Sequence, residues 1–342
     1  MIPLRSPDLD AVVAPHGARL AHLSAPDRHG RRGEVVLGLS DAGYVVDRQF
    51  LGATVGRYAN RIAGGSFVLD GRTHVLARNE PDATLHGGPA ALDHAEWRAD
   101  AVEPVPGGEA VTLHHTSPDG HNGFPGRLEI AVTYAVIGSD LAIDIHATTD
   151  APTVVNLTNH AYFNLHVSGT VEDHEITVHA DSYLPVDASL IPTGPPAGVA
   201  DTPFDLRRPT RIGQHLRAAH PQLRVARGYD HCFVLGGGSP SRPPTKGLHT
   251  AAVVHEPTTG RTLTVLTDQP GLQFYSGNML DGSTTLSDGR SVRQGDAFCL
   301  EPQHFPDSPN RDDFPSTVLR PGRTHRTRIV YRMGVRSQAA WD

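Results

Sequence analysis

A carboxylate and an imidazole stand out in this chain for their surroundings. Glu301 lies in FCLEPQHFPDSPN (298–310), between a short apolar run and a loop dense in Pro, His and Asn. Such a segment reads as a strand that ends in a rigid polar loop, a common place for a functional side chain. His160 lies in NLTNHAYFNL (156–165), among amides and aromatics. One carboxylate and one histidine in such settings are the parts needed for paired general base and general acid work.

Four more segments are unusually polar for places where strands end. GRYANRI (56–62) sets Asn60 beside Arg61, and TLHGG (84–88) sets His86 before two glycines that let backbones approach closely. GYDHCF (228–233) presents Asp230 and His231, and PGLQFYSGN (270–278) combines Gln273 with Phe274, Tyr275 and Asn278. Taken singly, each has an ordinary structural explanation: a hydrogen-bond hub, a turn histidine, a loop cap, a satisfied strand amide. As a set, amides, carboxylates and a guanidinium interleaved with aromatic rings suit a neutral, hydroxyl-rich ligand, whose hydroxyls they grip and whose C–H faces they cover.

Composition narrows the partners. The net charge is −7 with no basic run, which disfavours nucleic acid, an anionic membrane surface and a polyanionic substrate. No apolar stretch reaches membrane-spanning length, and MIPLRSPDLDAVV at the start has no apolar signal core, so a soluble cytoplasmic protein is expected. Cys232 and Cys299 form no metal-type pair and are expected as buried free thiols. Histidine is abundant at 21, yet no H-E-x-x-H or H-x-H spacing occurs, and the adjacent His114 and His115 would point to opposite faces of a strand; no metal site is expected.

The elements that must position these residues are strands. LEIAVTYAV (128–136) alternates Leu128, Ile130, Val132, Tyr134 and Val136 on one face, and LAIDIHA (141–147) repeats the pattern. SFVLDGRTHVL (66–76) turns at Asp70-Gly71, AAVVHEP and RTLTVLT (251–267) make another hairpin, and HRTRIVYRM (325–333) is a closing strand. Helical periodicity is scarce; RPTRIGQHLRAAH (208–220) is the best candidate, a short surface helix capped near Thr210, and GGGSPSRPPTKG (236–247) reads as a surface loop between strands. With Gly at 35 and Pro at 28 marking many tight turns, the expectation is an all-β, large antiparallel β-sandwich, with residues 1–342 as a single domain.

The ordered series GATVGRYANRIAGGSF (52–67), TLHGG, NGFPG (122–126), TNHAYFNL, YLPVDASLIPTG (183–194), FDLR (204–207), GYDHCF, PGLQFYSGN and FCLEPQHFPDSPN resembles the aldose 1-epimerase (galactose mutarotase) family over roughly residues 50–310. The resemblance implies the galactose mutarotase type of β-sandwich and interconversion of the α and β anomers of a free aldose such as glucose or galactose, with no cofactor. By motif position it implies Glu301 as general base, His160 as general acid, His86 as the second histidine of the site, and Asn60, Arg61, Asp230 and Gln273 as hydroxyl-binding residues. NEPDA (79–83) departs from the pattern, with Asp82 where many relatives carry Asn, which bears on local sugar contacts.

Changing anomer requires the ring to open, rotate about C1–C2 and reclose. A base that takes the C1 hydroxyl proton and an acid that protonates the ring oxygen assist the opening. The Glu301 charge is expected to favour the His160 imidazolium. Cys299 shares a strand face with Glu301 and reads as core filling. Three rivals remain: a non-catalytic sugar-binding sandwich, a glycoside hydrolase using Glu301 with Asp230, and an epimerase of sugar 6-phosphates with a basic pocket such as Arg207-Arg208. A monomer is the expected state.

Overall fold

The computed structural model describes residues 1–236 and 247–337. Among these, the largest sheet has ten strands, all paired antiparallel. In spatial order they are Arg98–Ala99, Gly108–Ser117, Leu128–Ile137, Asp140–Thr149, His325–Val335, Arg261–Thr267, His249–His255, Glu175–Val178 and Thr210–Arg211, with Glu103–Val105 added beside Gly108–Ser117. The alternation expected for 128–136 is present: Leu128, Ile130, Val132, Tyr134 and Val136 are buried while the residues between them are not. The closing strand pairs on both sides, which places a C-terminal segment in the middle of the sheet rather than at its edge.

A six-stranded sheet faces it, in the order Tyr162–Phe163, Phe298–Gln303, Gly271–Tyr275, Asp230–Leu235, Ala180–Tyr183, Ala197–Gly198. The two sheets share one apolar cluster, with Val132, Ile143, Val265 and Ile329 from the first meeting Phe233, Leu272, Phe274, Phe298 and Leu300 from the second. Tyr331 joins them directly: its ring lies 4.9 Å from that of Phe163 and its hydroxyl donates to the Leu300 carbonyl at 3.2 Å. The all-β sandwich expected from the strand pattern is therefore the fold observed. A four-stranded antiparallel sheet, Ile2–Arg5 through Arg32–Glu34, adds the N-terminal wall.

The turn at Asp70-Gly71 is as expected, with both residues at positive φ (50° and 75°) between strands Ser66–Leu69 and Arg72–Val75. The helix expected over 208–220 is not there. Thr210–Arg211 instead pairs with Glu175–Val178, a short 3-10 turn covers Ile212–Gln214, and the helix comes later, at Pro221–Ala226. The β-branched Thr210 and Ile212 favour the edge pairing, Ile212 enters the core, and Gly213 lies so close to Glu172 that an added Cβ would meet the Glu172 Cβ at 2.7 Å. Pro221 opens the real helix, where its missing N–H costs nothing. Most of the loop expected at 236–247 lies outside the described residues.

Candidate active site

Three strands of the six-stranded sheet, Phe298–Gln303, Gly271–Tyr275 and Asp230–Leu235, are buried on both faces apart from half-buried Asp230. Alternation sends Leu300, Phe274 and Phe233 into the sandwich core and leaves Cys299, Glu301, Gln273, Tyr275 and Asp230 on the opposite face. Cross-strand register then sets Gln273 against Glu301, Tyr275 against Cys299 and Asp230 against Tyr275. This polar floor forms one side of a cavity of about 200 Å³, room for a single pyranose ring.

The roof comes from the segments around residues 47–62, 80–86 and 160. His160 follows the short strand Thr158–Asn159, and its backbone is held by Ala53 and Gly52. Its ring stacks on Tyr162 at 5.0 Å, its Nε2 stands 3.7 Å from Glu301 Oε1, and its Nδ1 lies 3.6 Å from the Cys299 sulfur. The amides around it are structural: Asn156 ties together the chain at Ala59 and His304, and Asn159 bonds the Gly52 carbonyl and Tyr134.

His86 sits at a positive φ of 51° and Asn60 at 65°, left-handed backbone that non-glycine residues adopt at a cost and that clusters at functional sites. The two are locked together. His86 N–H donates to the Asn60 carbonyl, and Asn60 N–H donates to His86 Nδ1, both at 3.1 Å. An accepting Nδ1 puts the proton of the neutral ring on Nε2, which faces the cavity as a donor. Gly87 behind it packs against Gly56, where a Cβ would stand 2.1 Å from the carbonyl oxygen, so the close approach expected of the two glycines is real.

Arg61 is gripped by Glu80 through two bonds of 2.7 and 2.8 Å, a partner that the sequence did not single out. Burial works against its charge, but Glu80, Asp230 and Glu301 outweigh that and raise its pKa. Asp230 lines the cavity, and Gln273 stands behind it, donating from Nε2 to Asp230 Oδ1 at 2.7 Å. Phe50, Arg48, Gln49, Tyr162, Tyr275 and Met279 complete the lining. Of the expected site residues, then, Glu301, His160, His86, Asn60, Arg61 and Asp230 line one cavity, whereas Gln273 supports Asp230 from outside the lining. His231 points the other way, toward Gln222 and the Phe204 ring. Asp82 belongs to a neighbouring cavity, with its carboxylate 3.3 Å from the Ser189 hydroxyl.

The electrostatics correct one expectation. His160 is not pushed up: burial pulls its pKa down to about 4. Burial also raises Glu301 well above the usual carboxylate range, Asp230 adds to this and Arg61 opposes it. In the sugar-free cavity the favoured arrangement is neutral His160 beside protonated Glu301, because neither charge is solvated there. One Glu301 oxygen, Oε2, is buried without a hydrogen-bond partner among the described residues.

His86, His160 and Glu301 bring their ligand atoms within 4.8 Å of one another, close enough to invite a divalent cation. The histidine tautomer argues against that fit. A metal on His86 Nε2 would move the ring proton to Nδ1, where it would face the Asn60 N–H. A larger cavity of about 320 Å³ near Arg290, Arg293 and Asp296 lies apart from this chemistry, and its arginines are paired with Asp288 and Asp296. Arg207, proposed for a phosphate pocket, is taken by Asp205 and Asp181 at the surface. Both thiols are free and buried, as expected.

Comparison with known proteins agrees with the geometry. The family model "Aldose 1-epimerase" matches residues 1–332. A galactose mutarotase of Homo sapiens is 42% identical over 322 residues, covering 93% of this chain and 89% of that one. An aldose 1-epimerase of Escherichia coli (strain K12) is 36% identical over 321 residues, covering 92% and 89%. Among solved structures, an aldose epimerase homologue from C. elegans superposes with a TM-score of 0.87 at 32% identity, over 96% of this chain and 97% of that one. A galactose 1-epimerase from Lactobacillus acidophilus NCFM gives 0.84 at 28%, over 98% and 94%. A family match of that extent, on a sandwich whose polar cavity holds a carboxylate facing a histidine, means that this chain belongs to the aldose 1-epimerase family.

Proposed function

We propose that the protein interconverts the α and β anomers of free aldoses such as glucose and galactose, with Glu301 and His160 moving the protons. The observation that carries the reading is the buried Glu301–His160 pair at 3.7 Å on the wall of a monosaccharide-sized cavity. With the C1 hydroxyl and ring oxygen of a pyranose presented to this wall, the Glu301 carboxylate takes the proton of the C1 hydroxyl while the His160 imidazolium gives one to the ring oxygen. The C1–O5 bond breaks, an open-chain aldehyde forms, C1 turns about the C1–C2 bond, and as the ring recloses on the other face Glu301 gives its proton to the carbonyl oxygen while His160 takes one back from the O5 hydroxyl. Each placed proton transfer is worth about 10²–10⁴ in rate.

The pair needs one proton, on His160. In the empty cavity the same proton favours Glu301. Sugar hydroxyls that donate to the carboxylate replace the solvation lost on burial and move the balance toward the productive arrangement. His86 Nε2–H is a donor for a sugar oxygen, while Arg61 and Asp230 hold hydroxyls on the far side, with Asn60 fixing His86 and Gln273 fixing Asp230. The acidic balance of the chain supports a small neutral substrate rather than a nucleic acid or an anionic surface. We take the protein to act in the cytoplasm as a monomer, with residues 1–342 as one domain.

The test is polarimetry on freshly dissolved α-glucose and α-galactose, with pentoses and 6-phosphates as a panel. Decay faster than the spontaneous rate, in proportion to protein, supports the reading. Sugar binding with no acceleration would make the protein a sugar-binding sandwich instead, and release of a free sugar from a glycoside would make Glu301 and Asp230 a hydrolase pair.

A further inference from the structure

We propose that Cys299 is a positioning residue for this chemistry: its thiol is the hydrogen-bond partner of His160 Nδ1, and it thereby aims Nε2 at the sugar. The inference rests on the mutarotation reading of the site and adds a residue that the motif comparison leaves as core filling.

Geometry comes first. Cys299 and Glu301 alternate onto one face of strand Phe298–Gln303, so a single strand carries both the base and the group that contacts the acid. Cys299 is fully buried, between its cross-strand neighbours Tyr162 and Tyr275. The thiol is the hydrogen-bond partner found for the His160 ring among the described residues. Stacking on Tyr162 at 5.0 Å fixes the plane of that ring but not its direction. A half-turn about the Cβ–Cγ bond keeps the stacking and exchanges Nδ1 with Cδ2 and Nε2 with Cε1. Only a polar partner at one corner distinguishes the two orientations. The sulfur, 3.6 Å from Nδ1, selects the one that leaves Nε2 facing Glu301.

The chemistry of a thiol suits a ring that must change charge. When His160 is neutral, its ring proton sits on Nδ1 and is donated to sulfur, so the Nε2 lone pair faces Glu301 and can take its proton. When His160 is an imidazolium, Nδ1–H donates to sulfur. After Nε2 has given its proton to the ring oxygen, Nδ1–H stays on sulfur and the Nε2 lone pair is free to take the proton back on reclosure. No proton passes through the thiol. A carboxylate here would add a second charge near Glu301, and a methyl group would leave Nδ1 unsatisfied. Burial, with Glu301 and Asp230 adding to it, raises the Cys299 pKa well above the usual thiol range, so the S–H form persists. The titratable groups around His160 are Glu301, His86, Tyr162 and Cys299, with Asp47 and Arg19 acting through their charges from farther away.

The test compares wild type, Cys299→Ala and Cys299→Ser by mutarotation kinetics from pH 4 to 9 and by ¹⁵N resonances of the His160 ring. Loss of one neutral hydrogen bond should lower kcat in Cys299→Ala about 5- to 10-fold, leave KM little changed and shift the pH limb that belongs to His160. Cys299→Ser, whose hydroxyl also donates and accepts, should restore most of the rate. An alanine variant with wild-type kcat and pH profile would overturn the proposal. So would a serine variant as impaired as the alanine one, since the role would then be packing. If neither variant folds, the wild-type spectrum decides, because an Nδ1 shift typical of a nitrogen without a hydrogen bond overturns the contact itself. A wild type that accelerates no aldose would remove the mutarotation reading, while the spectrum would still judge the thiol–imidazole bond.

Discussion

Oε1 of Glu301 stands 3.7 Å from Nε2 of His160, with the two side chains only 3% and 7% exposed. That gap is too long for a direct hydrogen bond. It leaves the two groups facing a common space rather than neutralising each other, and Glu301 Oε2 has no hydrogen-bond partner among the described residues. A carboxylate and an imidazole so arranged are short of a hydrogen-bonding ligand, and under the proposed function a sugar hydroxyl with its ring oxygen would supply one to each.

Replacing Glu301 by Gln keeps shape and hydrogen bonding but removes the base. kcat for mutarotation should fall by about 10²–10⁴, while calorimetric affinity for galactose or glucose changes a few-fold. A variant with near-normal turnover would remove Glu301 from the chemistry.

The pH dependence follows from the directions of the two shifts. His160 is lowered to about 4 and Glu301 is raised, so kcat/KM should be a bell whose acid limb is the protonation of His160 and whose alkaline limb is the ionisation of Glu301. Between the limbs the singly protonated pair is dominant, and a constant minority of it has the proton on His160. His160→Asn should abolish the acid limb and Glu301→Gln the alkaline one. The reverse pairing of variant and limb would contradict the burial argument.

Much of this was legible in the chain because it rests on local rules. Period-two alternation in 128–136 marked a strand buried on one face, and Asp70-Gly71 marked the turn of the separate hairpin at 66–75. The same alternation, carried along 298–303, puts Cys299 and Glu301 on one face. What could not be read is what depends on distant segments meeting. Glu80 gains its meaning only when Arg61 folds against it. Phe50 joins the cavity through a left-handed turn at φ 60° that no periodicity announces. The lowered pKa of His160 depends on complete burial, whereas the sequence suggested only a neighbouring charge. The helix expected over 208–220 failed for a similar reason, since pairing with Glu175–Val178 outweighed local propensity.

The tautomer of His86 leads to a prediction about metals. Asn60 N–H occupies Nδ1, so Nε2 carries a proton and is a poor ligand. Turnover should be insensitive to EDTA, and added Zn²⁺ at micromolar concentration should not compete with sugar. Competitive inhibition by Zn²⁺, lost in His86→Gln, would show that the three donors close on a cation despite the Asn60 contact.

Acid should unfold this protein early. His160, His174 and His231 are 5%, 1% and 0% exposed, and burial lowers them to about 4, about 4 and about 3. A depressed histidine pKa favours the folded state above the unfolded-state value of 6.5, and that contribution is lost as pH falls from 6.5 toward the folded-state values. At pH 5.5 each histidine kept neutral in the fold costs about 1.4 kcal/mol relative to the unfolded chain, or roughly 4 kcal/mol for the three, against a typical total of about 5–15 kcal/mol. The melting temperature should therefore fall steadily from pH 7.5 to 5.5. His174→Gln isolates one contribution, because a glutamine oxygen can accept the Leu165 N–H that His174 Nε2 now accepts at 3.0 Å and does not titrate. That variant should lose about 1 kcal/mol less than wild type over the same interval. An equal loss in both proteins would mean that His174 is protonated in the folded state and that the acid sensitivity lies elsewhere.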